Sequence, residues 1–284
     1  MEQIIKKANI LIEALPYIRA FHKKITVIKY GGSILGEDDT RRGVLEDIVF
    51  LNYMGLRPVL VHGGGPHISR RIKDAGGNTD FVDGVRVTDG QTLKIVKEEL
   101  SALNKQIVWE IKEFGGSAKG VIGENSRLIT ADKKPGNVDL GFVGRVIDIE
   151  KEAILRELYQ DTIIVVPPLG YGKQGALYNI NADEVAAHLA GALDAEKLVL
   201  LTDVRGVKPK PGEDNGFIPT LDANTADRLI REEVIQGGMI PKVRSCVTAL
   251  NEGVRKAHII DAHIPHALLF EIFTNEGIGT EIVR

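Results

Sequence analysis

Short β-branched runs alternate with longer stretches of helical periodicity along most of the chain, the pattern of βαβ units wound around a parallel sheet. The apolar runs Ile25–Lys29, Pro58–Val61, Thr162–Val166, Lys197–Leu201 and Ala257–Ile260 read as buried strands. Helical patterns over Arg41–Tyr53, Pro66–Ala75, Ala182–Ala192, Pro241–Asn251 and Pro265–Ile272 follow most of them. A longer helix, Gln91–Phe114, stops at Gly115-Gly116. Between Ser126 and Ile149 the period shortens to that of antiparallel strands, joined through Pro135-Gly136 and Gly141, and Gly170–Tyr178 reads as a further hairpin. Residues 1–22 form an appended amphipathic helix with apolar positions at Ile4, Ile5, Ala8, Leu11, Ile12 and Leu15. That face packs either on its own body or on another subunit. The sheet pattern restarts at Lys197, which divides the chain into an arm (1–22), a first lobe (23–195) and a second lobe (196–284). The Pro-, Gly- and charge-rich stretch Lys208–Pro219 reads as an exposed loop.

Composition narrows the class. A length of 284 residues suits about two domains or one large one. The balance of 36 basic against 39 acidic residues, net −3, lacks the footprint of a nucleic-acid binder. A single cysteine, Cys246, excludes an internal disulfide; it lies in an apolar helical stretch and reads as packing. No run of ~18 apolar residues occurs, so no membrane span is expected. The first twenty residues carry acids and early interruptions that fit neither a signal nor a transit peptide, and a cytoplasmic location is the expectation.

The chemistry concentrates at glycine turns. His62-Gly63-Gly64-Gly65-Pro66 follows a buried strand and opens a helix, with Pro66 suited to its first position. Glycines there let main-chain amides approach a ligand, and the helix start presents unpaired N–H groups to an anion. Lys29 closes an apolar strand just before Gly31-Gly32, at the strand end where ligands collect in open α/β sheets. It is either a snorkelling edge residue or a phosphate contact. Lys242, after Gly237-Gly238-Met239-Ile240-Pro241, falls in the first turn of a helix, where a cation opposes the dipole unless an anion lies near. Asn181 suits an N-cap, with Glu184 at the capping-box position. That duty leaves Asn179 unexplained and leaves Asp183 as a dipole partner or an organiser of nearby lysines. Arg86, in a short extended piece, can clamp a carboxylate.

Neither G-x-x-x-x-G-K-[ST] nor G-x-S-x-G is present, and the glycines at 170, 172 and 175, though spaced as G-x-G-x-x-G, fall in the expected hairpin. His62 and His67, and likewise His263 and His266, lack zinc-type company, so no resident metal is expected.

In chain order, Lys29-Tyr30-Gly31-Gly32, His62–Pro66, Phe81–Asp89, Tyr178–Asp183, Leu201–Val207, Gly237–Lys242 and parts of His258–Thr280 resemble the amino acid kinase family over nearly the whole chain. The resemblance implies a three-layer αβα sandwich with a large, mainly parallel central sheet. It further implies transfer of the ATP γ-phosphoryl group to the side-chain carboxylate of N-acetyl-L-glutamate, in arginine biosynthesis. On that basis Lys29 and Lys242 neutralise the transferring group and Asp183 orients them. Gly64 and Gly65 supply amides, Gly32 lines the phosphate tail, and Arg86 and Asn179 hold the acceptor. The nucleotide rests against Asp203, Val204, Gly206 and Lys208 and against Gly237, Gly238 and Met239, and Mg²⁺ arrives on ATP. The helical arm resembles that of arginine-inhibited members, in which it links dimers into a hexamer. The implied arginine site takes in Tyr17, Lys210, Glu276 and Gly279. Two departures stand out, Gly123-Glu124-Asn125-Ser126 and Arg205. The remaining alternatives are a kinase for a carrier-bound aminoadipate or glutamate, and a catalytically silent arginine sensor.

Overall fold

The computed structural model describes residues 1–31, 33–82, 84–122, 127–210, 216–274 and 277–284. The chain opens with helix α1 (Glu2–Phe21), strand β1 (Ile25–Tyr30), α2 (Asp38–Tyr53), β2 (Arg57–His62) and α3 (Gly65–Asp74). A two-stranded hairpin, β3 (Phe81–Val82) and β4 (Val85–Arg86), precedes the long α4 (Gly90–Glu113). Then come β5 (Ala118–Gly120), β6 (Ile129–Lys133), β7 (Gly144–Ile149), α5 (Lys151–Leu158), β8 (Ile163–Val166), β9 (Leu169–Tyr171) and β10 (Leu177–Asn179). The remainder holds α6 (Ala182–Ala192), β11 (Lys197–Thr202), β12 (Thr220–Asp222), α7 (Ala223–Arg231), α8 (Met239–Asn251), β13 (Lys256–Asp261), α9 (Ala267–Phe273) and β14 (Thr280–Val283).

Eight strands form one sheet in the order β12-β14-β13-β11-β1-β2-β8-β5, parallel except between β13 and β14. Its central strands are the β-branched runs read from the sequence, buried on both faces as a parallel sheet demands. Val27, Val59, Leu198 and Leu200 face one layer with Val185 and Leu189 of α6 and Val243 of α8. Ile28, Leu60, Val199 and Leu201 face the other, with Leu45 and Ile48 of α2, Ile107 and Ile111 of α4 and Leu268 of α9. The result is the expected αβα sandwich. A smaller sheet, β10-β9-β6-β7, contains antiparallel pairs where they were expected, within 126–149 and around 170–178. β1 pairs β2 on one side and β11 on the other, so the seam expected near residue 195 runs through a continuous sheet.

Side-chain parity decides what reaches each face. Lys29 shares the parity of Val27 and points toward the α6/α8 layer, whereas His62 shares that of Leu60 and points toward α4. Among the described residues no helix is long and apolar enough to cross a membrane.

Candidate active site

Three charged groups from three distant segments meet at the carboxyl end of β1. Lys29 Nζ lies 2.8 Å from Asp183 Oδ1, and Lys242 Nζ donates to Asp183 Oδ2 at 3.1 Å. Asp183 stands in the first turn of α6, which Asn181 caps by accepting from the Asp183 and Glu184 amides. Glu184 does not close a capping box with that residue. Its carboxylate instead accepts from Lys134 Nζ at 2.8 Å and from the Val146 amide at 3.3 Å, tying α6 to the smaller sheet. Lys242 does fall in the first turn of its helix, and Asp183 supplies the anion that offsets the dipole.

Burial alone would push the Asp183 carboxyl up, but Lys29 and Lys242 outweigh it and hold the group at about 2. Burial pulls Lys29 down against the attraction of Asp183, with Lys242 adding to the fall. Burial also pulls at Lys242, yet Asp183 prevails and its net shift is upward. Asp183 Oδ1 accepts no directed hydrogen bond, so Lys29 meets it as a charge rather than along a lone pair. The cluster thus carries two cations on one anion, with ammonium hydrogens left to receive a further anion.

Gly31 makes room for this lysine: a Cβ there would stand 2.9 Å from Lys29 Cε and 3.0 Å from its Nζ. In the Gly63–Gly65 loop every carbonyl is engaged. Gly63 O faces His62 Nδ1, Gly64 O accepts from the Ile68 amide, and Gly65 O accepts from Arg86 Nη2. The Gly63 amide is spent on Tyr30 O at 2.8 Å. The amides of Gly64 and Gly65, at the helix start, keep no protein acceptor among the described residues. These two N–H groups are therefore the ones available to a ligand.

Two cavities flank the charged cluster. A pocket of about 260 Å³ is bounded by Lys29, Gly64, Gly65, Arg86, Asn179, Asp183 and Lys242, with Leu100 and Ile180 as apolar wall. Arg86 is buried there; it bonds Ser69 Oγ at 2.7 Å, lies over the Phe81 ring, and keeps Nη1 without a partner. Thr88, fully buried, links two residues of this wall, accepting from Asn179 Nδ2 and donating to Arg86 O. A second cleft of about 520 Å³ takes in Gly31, Thr202, Asp203, Val204, Gly206, Lys208, Gln236, Gly238, Met239 and Lys242. The first volume lies below the ~300–1,000 Å³ typical of drug-sized ligands and the second within it, which suits a small acceptor beside a nucleotide.

Some expected site residues are placed elsewhere. Gly237 borders a neighbouring cavity of about 840 Å³ rather than the 520 Å³ cleft. Lys210 borders the cleft itself, at the carboxyl end of β11. Tyr17 lies one helical turn before Phe21, whose ring covers Lys197 at the opposite end of that strand. Within this chain Lys210 and Phe21 thus lie toward opposite ends of β11. Gly279 packs on Ile259 O, where a Cβ would come within 2.2 Å. Gly32, Glu276 and the departure at 123–126 lie outside the described residues. Arg205 is exposed. Burial pushes the Cys246 thiol up, in keeping with packing.

The sheet, the paired lysines on one aspartate and the glycine amides between two cavities are those of a group-transfer enzyme handling anions. The chain belongs to the amino acid kinase family, whose model matches residues 24–261. Its similarity to particular members extends over nearly its whole length. It is 46% identical to the acetylglutamate kinase of Thermoanaerobacter pseudethanolicus over 279 residues, covering 98% of this chain and 93% of that one. It is 44% identical to the acetylglutamate kinase of Aquifex aeolicus over 298 residues, covering 99% of each. Among solved structures, N-acetylglutamate synthase from Neisseria gonorrhoeae, complexed with coenzyme A and N-acetyl-glutamate, superposes with a TM-score of 0.87 at 28% identity. That alignment takes in 98% of this chain, which spans 63% of the synthase. The same synthase with coenzyme A and L-arginine gives a TM-score of 0.83 at 26% identity.

Proposed function

We propose that this kinase phosphorylates the side-chain carboxylate of N-acetyl-L-glutamate with ATP, in amino-acid biosynthesis. The observation that carries the reading is the convergence of Lys29, Lys242 and the Gly64 and Gly65 amides between a small pocket and a nucleotide-sized cleft. The acceptor carboxylate oxygen attacks the γ-phosphorus, the bond to the β,γ-bridging oxygen breaks, and ADP leaves with that electron pair. No proton need move, since the acceptor is already anionic. Catalysis then rests on positioning and on neutralising charge, the usual balance for phosphoryl transfer. Lys29 and Lys242 screen the approach of two anions, Asp183 holds both ammonium groups in register, and the amides donate to the equatorial oxygens. Arg86 and Asn179 hold the acceptor; residues 23–195 serve as the acceptor lobe and 196–284 as the nucleotide lobe.

Mg²⁺ enters as part of the nucleotide substrate. Among the described residues no cluster of His, Cys, Asp or Glu could hold a resident ion. Magnesium keeps several waters and leans on substrate phosphates, so it asks few ligands of the protein.

The exposed apolar side chains of α1, Ile5, Ile12 and Leu15, support pairing of this arm with a second copy, giving dimers and a hexamer built from them. Arginine is proposed to inhibit through a site between the arm and the C-terminal region, taking in Tyr17, Glu276 and Gly279. One assay tests the whole reading: MgATP with a panel of acceptors, trapping acyl phosphate as the hydroxamate, with and without arginine, on protein sized by light scattering. Product from N-acetylglutamate alone, reduced by arginine in a hexamer, is the expected result. No product from any acceptor would favour a silent sensor, and a dimer indifferent to arginine would remove the regulatory part.

Arg86 gives a sharper expectation. Arg86, with its buried Nη1 unpartnered, lines a pocket that otherwise offers no full charge to a carboxylate beyond the reacting end. Arg86→Ala should raise the KM for acceptor about 10- to 100-fold, the loss of one charge-assisted contact, and leave the KM for ATP nearly unchanged. Initial-rate measurements varying each substrate decide this, and an equal rise in both would place Arg86 in a structural role.

A further inference from the structure

Beneath the glycine loop lies a buried polar relay that the chemistry above does not use. His62, the last residue of β2, and Asn104, in the middle of α4, are both fully buried. Asn104 Nδ2 lies 3.0 Å from Val165 O and 3.1 Å from His62 Nε2. A carbonyl only accepts, so the amide nitrogen must face Val165, and its second hydrogen meets the imidazole. Nε2 is therefore the acceptor, the ring proton sits on Nδ1, and Nδ1–H donates to Gly63 O at 2.8 Å. Burial holds this imidazole down at about 4, only partly offset by the Gly63 carbonyl, so it is neutral near pH 7.

The relay controls the loop's hydrogen-bonding direction. With Gly63 O turned inward to His62 and Gly63 N–H bound to Tyr30 O, the peptides of Gly64 and Gly65 have little freedom left. One turn earlier on α4, Leu100 closes on Gly64, where a Cβ would meet its Cδ2 at 2.7 Å. Gly120 is equally committed, since a Cβ there would stand 2.1 Å from Asn104 Oδ1.

We propose that His62 is a positioning residue for phosphoryl transfer: as the neutral Nδ1–H tautomer set by Asn104, it holds Gly63 so that the Gly64 and Gly65 amides stay aimed at the transferring group. This rests on the functional reading given above. Asparagine can supply a donor where Nδ1 stands, and glutamine where Nε2 stands, so the two replacements separate the halves of the relay.

The experiment compares wild type, His62→Asn, His62→Gln and His62→Leu with MgATP and N-acetylglutamate. It also measures thermal melting, MgATP affinity and the imidazole nitrogen shifts of labelled wild-type protein. The expected result is a kcat lowered about 10²-fold in His62→Gln and His62→Leu, the scale of a small misplacement of a reacting array. His62→Asn recovers most of that loss, while the KM for ATP stays within about twofold throughout. The nitrogen shifts report a neutral Nδ1–H ring. Equal activity in His62→Asn and His62→Gln, or a protonated or Nε2–H ring, overturns the positioning role; the shifts decide it even if the variants fail to fold. Wild-type protein that makes no acyl phosphate overturns the functional reading and with it the role in transfer. An active wild type with the wrong rank order among variants overturns this proposal alone.

Discussion

Lys242→Ala should lower kcat by about 10²–10³-fold, the cost of removing one preorganised donor from a site where negative charge gathers. The KM for ATP should move far less, because Lys242 borders both cavities and sits where the two substrates react rather than deep in either. Losing it leaves Asp183 paired with Lys29, still ionised at neutral pH since its carboxyl starts from about 2. The deficit then reports the missing charge and not a collapsed cluster. Asp183→Asn should behave differently. It leaves two neighbouring ammonium groups with no anion between them, and Lys29, already pulled down by burial, falls further. A lysine is charged below its pKa, so the residual activity of Asp183→Asn should rise as the pH is lowered, whereas that of Lys242→Ala should not. Rate profiles over pH with saturating substrates separate the two. A KM effect exceeding the kcat effect in Lys242→Ala would assign this lysine to ground-state nucleotide binding.

The parts of this site that the sequence made legible share one property: they are out of character locally. A lysine ending the apolar strand β1, and glycines where β2 turns into α3, conflict with their surroundings unless a ligand is involved. The central strands were equally plain, because burial on both faces demands unbroken β-branched runs. The edge strands β5 and β12, and β14 beside β12, were not, being three or four residues long and only partly buried. Asn104 was invisible for another reason. A polar residue in a long amphipathic helix looks ordinary until α4 is laid against β2 and β8, which brings it to His62, 42 residues away. For Lys210 a loop's composition tells that it is exposed, not that it borders the cleft. Lys197 was read as the place where a sheet restarts; its ammonium in fact answers a carboxylate 74 residues on.

That pair leads to the largest expected effect on stability. Lys197, at the start of β11, and Glu271, on α9, are each only 6% exposed at the side chain and meet at 2.8 Å. Lys197 also donates to Glu271 O at 3.2 Å, His258 Nδ1 lies 2.8 Å from the same carboxylate oxygen, and the Phe21 ring covers the ammonium. Glu271→Ala would strand Lys197 as a buried cation without its anion, an error that typically costs ~3–5 kcal/mol. The double replacement Lys197→Met with Glu271→Leu should cost clearly less than Glu271→Ala, because it removes the orphaned charge and refills the volume with apolar atoms. The dependence on pH has a definite sign. Burial alone would raise the Glu271 pKa, but His258 and Lys197 reverse that and lower it. A carboxylate whose folded pKa lies below its unfolded value of ~4.3 contributes fully above that value and loses the contribution as the pH falls through the folded one. The gap between wild type and Glu271→Ala in urea unfolding should therefore be widest near neutrality and narrow below about pH 4. A gap that stays constant into acid would mean that the lost packing of the glutamate stem, and not its charge, sets the cost.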